Sequence, residues 1–116
     1  MALLLYISMF VIKHIAFNFI LAPTATLTAP NGALDRSFIH LICRVTGNPK
    51  PSITWYKNGA VLTVRTRAKK FPLPDGELLR IGRILKSRHE GDYTCEASNA
   101  VGTATSQTTS IKIYRG

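Results

Sequence analysis

Apolar and polar residues alternate most clearly along Ser37–Val45, with Ile39, Leu41, Cys43 and Val45 on one face and Phe38, His40, Ile42 and Arg44 on the other. The first set is wholly apolar, so it is the face a core would cover. Turn formers at Gly47-Asn48-Pro49-Lys50-Pro51 interrupt the pattern, and Ser52–Lys57 resumes it with Ile53 and Trp55 together. Asn58-Gly59 then marks a tight turn, since both residues accept positive φ. A short strand is expected near Ala60–Thr63, and Pro72, Pro74, Asp75 and Gly76 mark a further turn. Glu77–Ile84 reads as a strand with Leu79 and Ile81 on one side, followed by a polar corner at Lys86–Gly91. Asp92–Asn99 places Tyr93, Cys95 and Ala97 on one face, Asn99-Ala100-Val101-Gly102 turns the chain, and Thr103–Arg115 closes on Ile111 and Ile113. With an opening strand around Thr24–Leu34, the pattern predicts about seven or eight short strands and no helical period. The expected class is all-β, a sandwich or barrel.

The first 22 residues do not share this punctuation. Met1 to Ala22 is almost wholly apolar, and Ala2–Ile12 is unbroken apart from Ser8. That length suits the hydrophobic region of a secretory signal better than a membrane span, which needs about 20 apolar residues. No Lys or Arg precedes the run, and the candidate cleavage residues Ala22 and Ala25 have poor partners at Ile20 and Pro23. The segment is therefore expected to be a signal peptide or a signal-anchor in contact with membrane, the alternative being an artefactual gene start. Residues 23–116 are taken as the folded domain, which at this length has room for one core.

Net charge alters the picture of partners. The chain carries +9, and Lys13 in the leader accounts for one of these charges, leaving +8 on the domain. A small domain so basic is drawn to anionic surfaces, whether nucleic acid, acidic lipid or sulfated sugar. Cys43 and Cys95 form the one possible intrachain pair, and an even count in a secreted chain favours a disulfide. There is no Cys-x-x-Cys, and no phosphate loop, paired acid and base, nucleophile–base spacing or zinc cluster. Enzymatic activity, a cofactor and a metal site are not expected. Nor does any Asn-x-Ser/Thr triplet occur, so both sheet faces stay clear of N-linked glycan.

Cys43, Trp55 twelve residues later, and Cys95 within Gly91-Asp92-Tyr93-Thr94-Cys95 resemble the immunoglobulin signature. The resemblance implies a Greek-key β-sandwich in which Cys43 and Cys95 bridge the two sheets, Trp55 packs on the bridge, and the Tyr93 hydroxyl ties back to backbone at a corner. Too little chain separates Trp55 from Leu79 for the additional strand of variable domains, and Gly47–Pro51 and Asn99-x-x-Gly102 look like the intermediate (I-set) kind. Members usually carry an Asp two residues before the corner Gly, paired with an Arg on the fourth strand. His89 stands there in this chain, and the run from Ile81 to Cys95 is one residue longer than the pattern, so the corner is where a departure is expected.

Trp55, Leu79, Ile81 and Tyr93 are read as core, and His40 and His89 as solvated. The remaining candidate is the basic stretch Arg65-Thr66-Arg67-Ala68-Lys69-Lys70, expected as a loop. As a bland feature it is a charged edge that deters sheet-to-sheet pairing. As a site, Arg65, Arg67, Lys69 and Lys70 would hold sulfate groups of heparan sulfate, the arginine forks contributing paired hydrogen bonds. The stretch looks like a weak version of the basic loop that the N-terminal immunoglobulin domains of receptor tyrosine phosphatases use in the comparable region. The function expected is that of an extracellular, cell-surface recognition module, part of a longer adhesion or guidance receptor or matrix protein, with a homophilic or heterophilic protein partner. Nucleic acid is not expected, since its binding motifs are missing. The rival is a structural module of an intracellular muscle protein, in which Cys43 and Cys95 could remain reduced.

Overall fold

The computed structural model describes residues 19–63 and 67–116. The chain forms β1 (Leu21–Thr28), β2 (Gly32–Leu34), β3 (Ile39–Asn48), β4 (Ser52–Lys57), β5 (Ala60–Val61), β6 (Ala68–Leu73), β7 (Gly76–Ile81), the one-turn helix α1 (Lys86–His89), β8 (Gly91–Ser98), β9 (Thr103–Thr105) and β10 (Thr109–Tyr114). Two sheets face each other. One has the order β1-β3-β7-β6; the other has the order β2-β10-β8-β4-β5, with β9 also paired to β8. Every pairing is antiparallel except β2 with β10.

Alternation along the strands builds the core between the sheets. Leu41 and Leu79, opposite each other in register, are fully buried. They meet Trp55, Tyr93, Ala97, Ile111 and Ile113 from the second sheet. Cys43 on β3 and Cys95 on β8 are joined by a disulfide across this core, with Cα atoms 6.2 Å apart. Trp55 lies beside Cys95 in register and is 1% exposed. Its indole N–H, which cannot be left unpaired at that depth, donates to the Glu77 carboxylate at 2.7 Å.

Several boundaries depart from the sequence expectation for physical reasons. The opening strand is two strands, because Pro30 cannot continue a ladder and the chain crosses there from the first sheet to the second. The closing strand is likewise split at Ser106, whose hydroxyl accepts from the Cys95 N–H at 2.9 Å. The basic stretch is not a loop throughout, because β6 begins at Ala68 and carries Lys69 and Lys70. Pro72, expected in a turn, lies inside that strand. Gly82 N–H donates to the Arg67 carbonyl, so by two-residue alternation the N–H position of residue 72 faces the free edge of the sheet. A proline there costs no ladder bond and blocks edge pairing. At the β4–β5 hairpin Asn58 (φ 52°) and Gly59 (φ 79°) both occupy the left-handed region that a two-residue turn requires.

Candidate ligand-binding surface

The outer face of the β1-β3-β7-β6 sheet carries the side chains that the core does not take. Register arranges them in rows across the strands. Ile42, Leu78 and Phe71 form an apolar row, and His40, Arg80 and Lys69 form a polar row beside it, two of whose members carry a positive charge. Beyond these, Phe38, Gly82 and Arg67 continue the pattern, since Gly82 bonds to Arg67 and lies against the edge of the Phe38 ring. A Cβ at residue 82 would come within 2.2 Å of Phe38 Cε1, so the glycine leaves room for the edge of that ring. Arg80 in turn places its guanidinium 5.1 Å from the ring centroid.

Charge is concentrated at one end of this face. A depression of about 260 Å³ is lined by Phe38, Arg67, Lys69, Arg80, Gly82 and Arg83. Arg67 is tethered there, donating from Nη1 to the Arg83 carbonyl at 2.8 Å. Arg83 sits at φ 51°, turning the chain sharply after β7 and bringing its carbonyl to β6. Around the sheet edge, a second cleft of about 340 Å³ has Lys57, Arg67, Arg88 and His89 in its wall. Among the described residues, the ion pairs are Arg36–Asp35, Arg44–Asp75 and Lys86–Glu90, so none of them neutralises Arg67, Lys69, Arg80 or Arg83.

The corner beside the cleft is where the chain departs from the family pattern. His89, in place of the expected acid, takes the Leu85 N–H on Nδ1 at 2.7 Å. Its pKa is lowered, first by burial and then by the charges of Arg67, Arg88 and Lys57. The corner is tied down instead by Glu90, whose carboxylate accepts from Lys86 Nζ and from the Ile113 N–H, both at 2.9 Å. These two bonds, the backbone one first, hold the Glu90 pKa down. Tyr93 is fully buried, its hydroxyl donates to the His89 carbonyl at 2.5 Å, and burial pushes its pKa up to about 12.

Of the four basic residues singled out in the sequence, Arg67 and Lys69 share the outer face and line the depression together. Lys70 stands opposite core residue Leu79 and so points to the other side of the edge strand. Arg65 lies outside the described residues. Sequence reasoning missed Arg80, Arg83 and Phe38 as companions of Arg67. The alternation of β7 already put Arg80 opposite Leu79 and Ile81, but only the pairing of β6 with β7 puts it beside Lys69.

The comparisons with known proteins bear on what this surface belongs to. A family profile described as "Immunoglobulin domain" matches residues 23–99, more than half of the chain. The chain is 46% identical over 80 residues to human Roundabout homolog 3, covering 63% of this chain and 6% of that protein. It is 41% identical over 78 residues to mouse hemicentin-1, covering 67% of this chain and 1% of that protein. The chain thus spans a small fraction of the length of these relatives. In three dimensions it is similar to the titin M4 domain, with a TM-score of 0.74 at 20% identity, over 83% of this chain and 99% of that one. By profile, by relatives and by fold, the chain belongs to the immunoglobulin-domain family.

Proposed function

We propose that the chain is a non-enzymatic recognition module of the cell surface, of the adhesion and receptor kind, which docks a protein partner and binds heparan sulfate through the basic surface around Arg67 and Lys69. The observation that carries this reading is the uncompensated positive surface around Arg67, set on a sandwich whose core is complete without it. A patch of one sign, open to solvent, attracts a polyanion from a distance and loses that attraction as salt screens it. An inter-sheet disulfide supports placement in the secretory pathway, where such bonds form and persist. Similarity to Roundabout homolog 3 and hemicentin-1 supports the same class.

The test is retention on immobilised heparin as salt is raised. Replacing Arg65, Arg67, Lys69 and Lys70 with Gln is expected to abolish retention at physiological ionic strength. Replacing Lys50, Lys112 and Arg115, which lie away from the depression, is expected to shift elution only slightly. Equal losses from both sets would reduce the interaction to diffuse charge. Non-reducing mass spectrometry of native material addresses the compartment, with free thiols at Cys43 and Cys95 contradicting the extracellular reading.

A further inference from the structure

Resting on the heparan sulfate reading, we propose that the sulfated chain crosses the strands instead of following the basic run, on a shelf made by Arg67, Lys69, Arg80 and Arg83 with Phe38 as its apolar floor. Lys70 is not part of it. The register is the first reason. Lys69 and Arg80 are neighbours on adjacent strands, with His40 next in the row, and Arg67 and Phe38 lie one row further along. Two inter-strand spacings and one two-residue step give a platform of about 10 by 7 Å. Four cations around such a platform outnumber what one sulfate group can satisfy, and they fit a chain bearing several.

Preorganisation is the second reason. Arg67 is held by the Arg83 carbonyl at 2.8 Å, which leaves its other guanidinium N–H groups for a ligand. Arg80 is held over the Phe38 ring. Two guanidinium forks are therefore in place before anything binds, so less side-chain entropy is lost on binding than for free lysines. The third reason is the floor itself. Phe38 is 54% exposed although one edge of its ring packs against Gly82, and so open an aromatic ring offers apolar contact to the C–H face of a sugar. An inorganic anion would have no use for it.

The experiment measures heparin affinity of the whole chain against salt for three matched pairs: Arg80→Gln/Arg83→Gln, Arg65→Gln/Lys70→Gln, and Lys50→Gln/Lys112→Gln. The first pair is expected to weaken binding about tenfold or more and to lower the salt slope by about two, since two counterion-releasing contacts go. The last pair is expected to stay within about twofold of wild type. Thermal unfolding checks each fold, and Arg80→Lys/Arg83→Lys, which keeps the charge but not the forks, is expected to fall between wild type and the Gln pair. Losses equal for the first and last pairs overturn the site. So does loss confined to Arg65→Gln/Lys70→Gln, which returns binding to the basic run and keeps the heparan sulfate reading. No wild-type binding at physiological salt overturns that reading along with this one.

Discussion

Trp55 shows how much one residue can decide. Its ring fills the space beside Cys95 between the sheets, and its N–H is satisfied by Glu77 from the opposite sheet. Trp55→Ala therefore removes a large aromatic from a close-packed interior and leaves a carboxylate without its partner. The expected cost is about 3–5 kcal/mol in urea titration. A loss below about 1 kcal/mol would mean that the ring is not structural. Core residues of this kind were legible in the sequence because their message is local. Leu79, Tyr93 and Trp55 each sit on an apolar stripe with a period of two, and the spacing of Cys43, Trp55 and Cys95 names their neighbours. Arg80 was half legible, since its face follows from Leu79 and Ile81 while its neighbour Lys69 depends on a pairing between residues eleven positions apart.

Elements bring constraints that no single residue announces. Gly76 opens β7, and a Cβ there would lie 1.8 Å from the Cys43 carbonyl oxygen. The obstacle is backbone, so β3 and β7 must part for Ala to fit; Gly76→Ala is expected to cost about 1–3 kcal/mol by denaturant titration, more than Gly102→Ala, where nothing lies within 4 Å. The sequence showed Gly76 only as a turn former, because the approach of β3 is a tertiary fact. The α1–β8 corner gives a pH dependence. His89 has a folded pKa below its ordinary value of about 6.5, through burial and the nearby Arg67, Arg88 and Lys57. Between the two values the unfolded chain binds more proton than the folded one, so stability is full above about pH 6.5 and falls as pH drops through that range. Thermal midpoints measured from pH 8 to 5 are expected to fall less for His89→Gln than for wild type. Parallel curves would show that His89 contributes nothing. Glu90, also lowered, loses its contribution only as pH falls through the carboxylate range, which keeps the two effects apart.

At the scale of the whole molecule, the disulfide adds a covalent link between two sheets that also meet through side-chain packing, crossing loops and the Trp55–Glu77 hydrogen bond. It links β3 to β8 across a separation of 52 residues. In the loop-entropy account, closing a loop of that size restricts the unfolded chain by about 4 kcal/mol. Small domains are stable by only about 5–15 kcal/mol, so this is a large share. The cationic surface raises the stakes, because the folded state must hold Arg67, Lys69, Arg80 and Arg83 together without carboxylates to offset them. Reduction of the wild type, followed by urea unfolding at low and high salt, separates the two contributions. The bond is expected to account for a loss of about 2–5 kcal/mol at either ionic strength, since chain entropy is not screened. Added salt is expected to raise the stability of both forms by relieving repulsion among the cations. A reduced chain that unfolds at the same urea concentration as the oxidised one would show that packing of the sheets carries the fold without the bond.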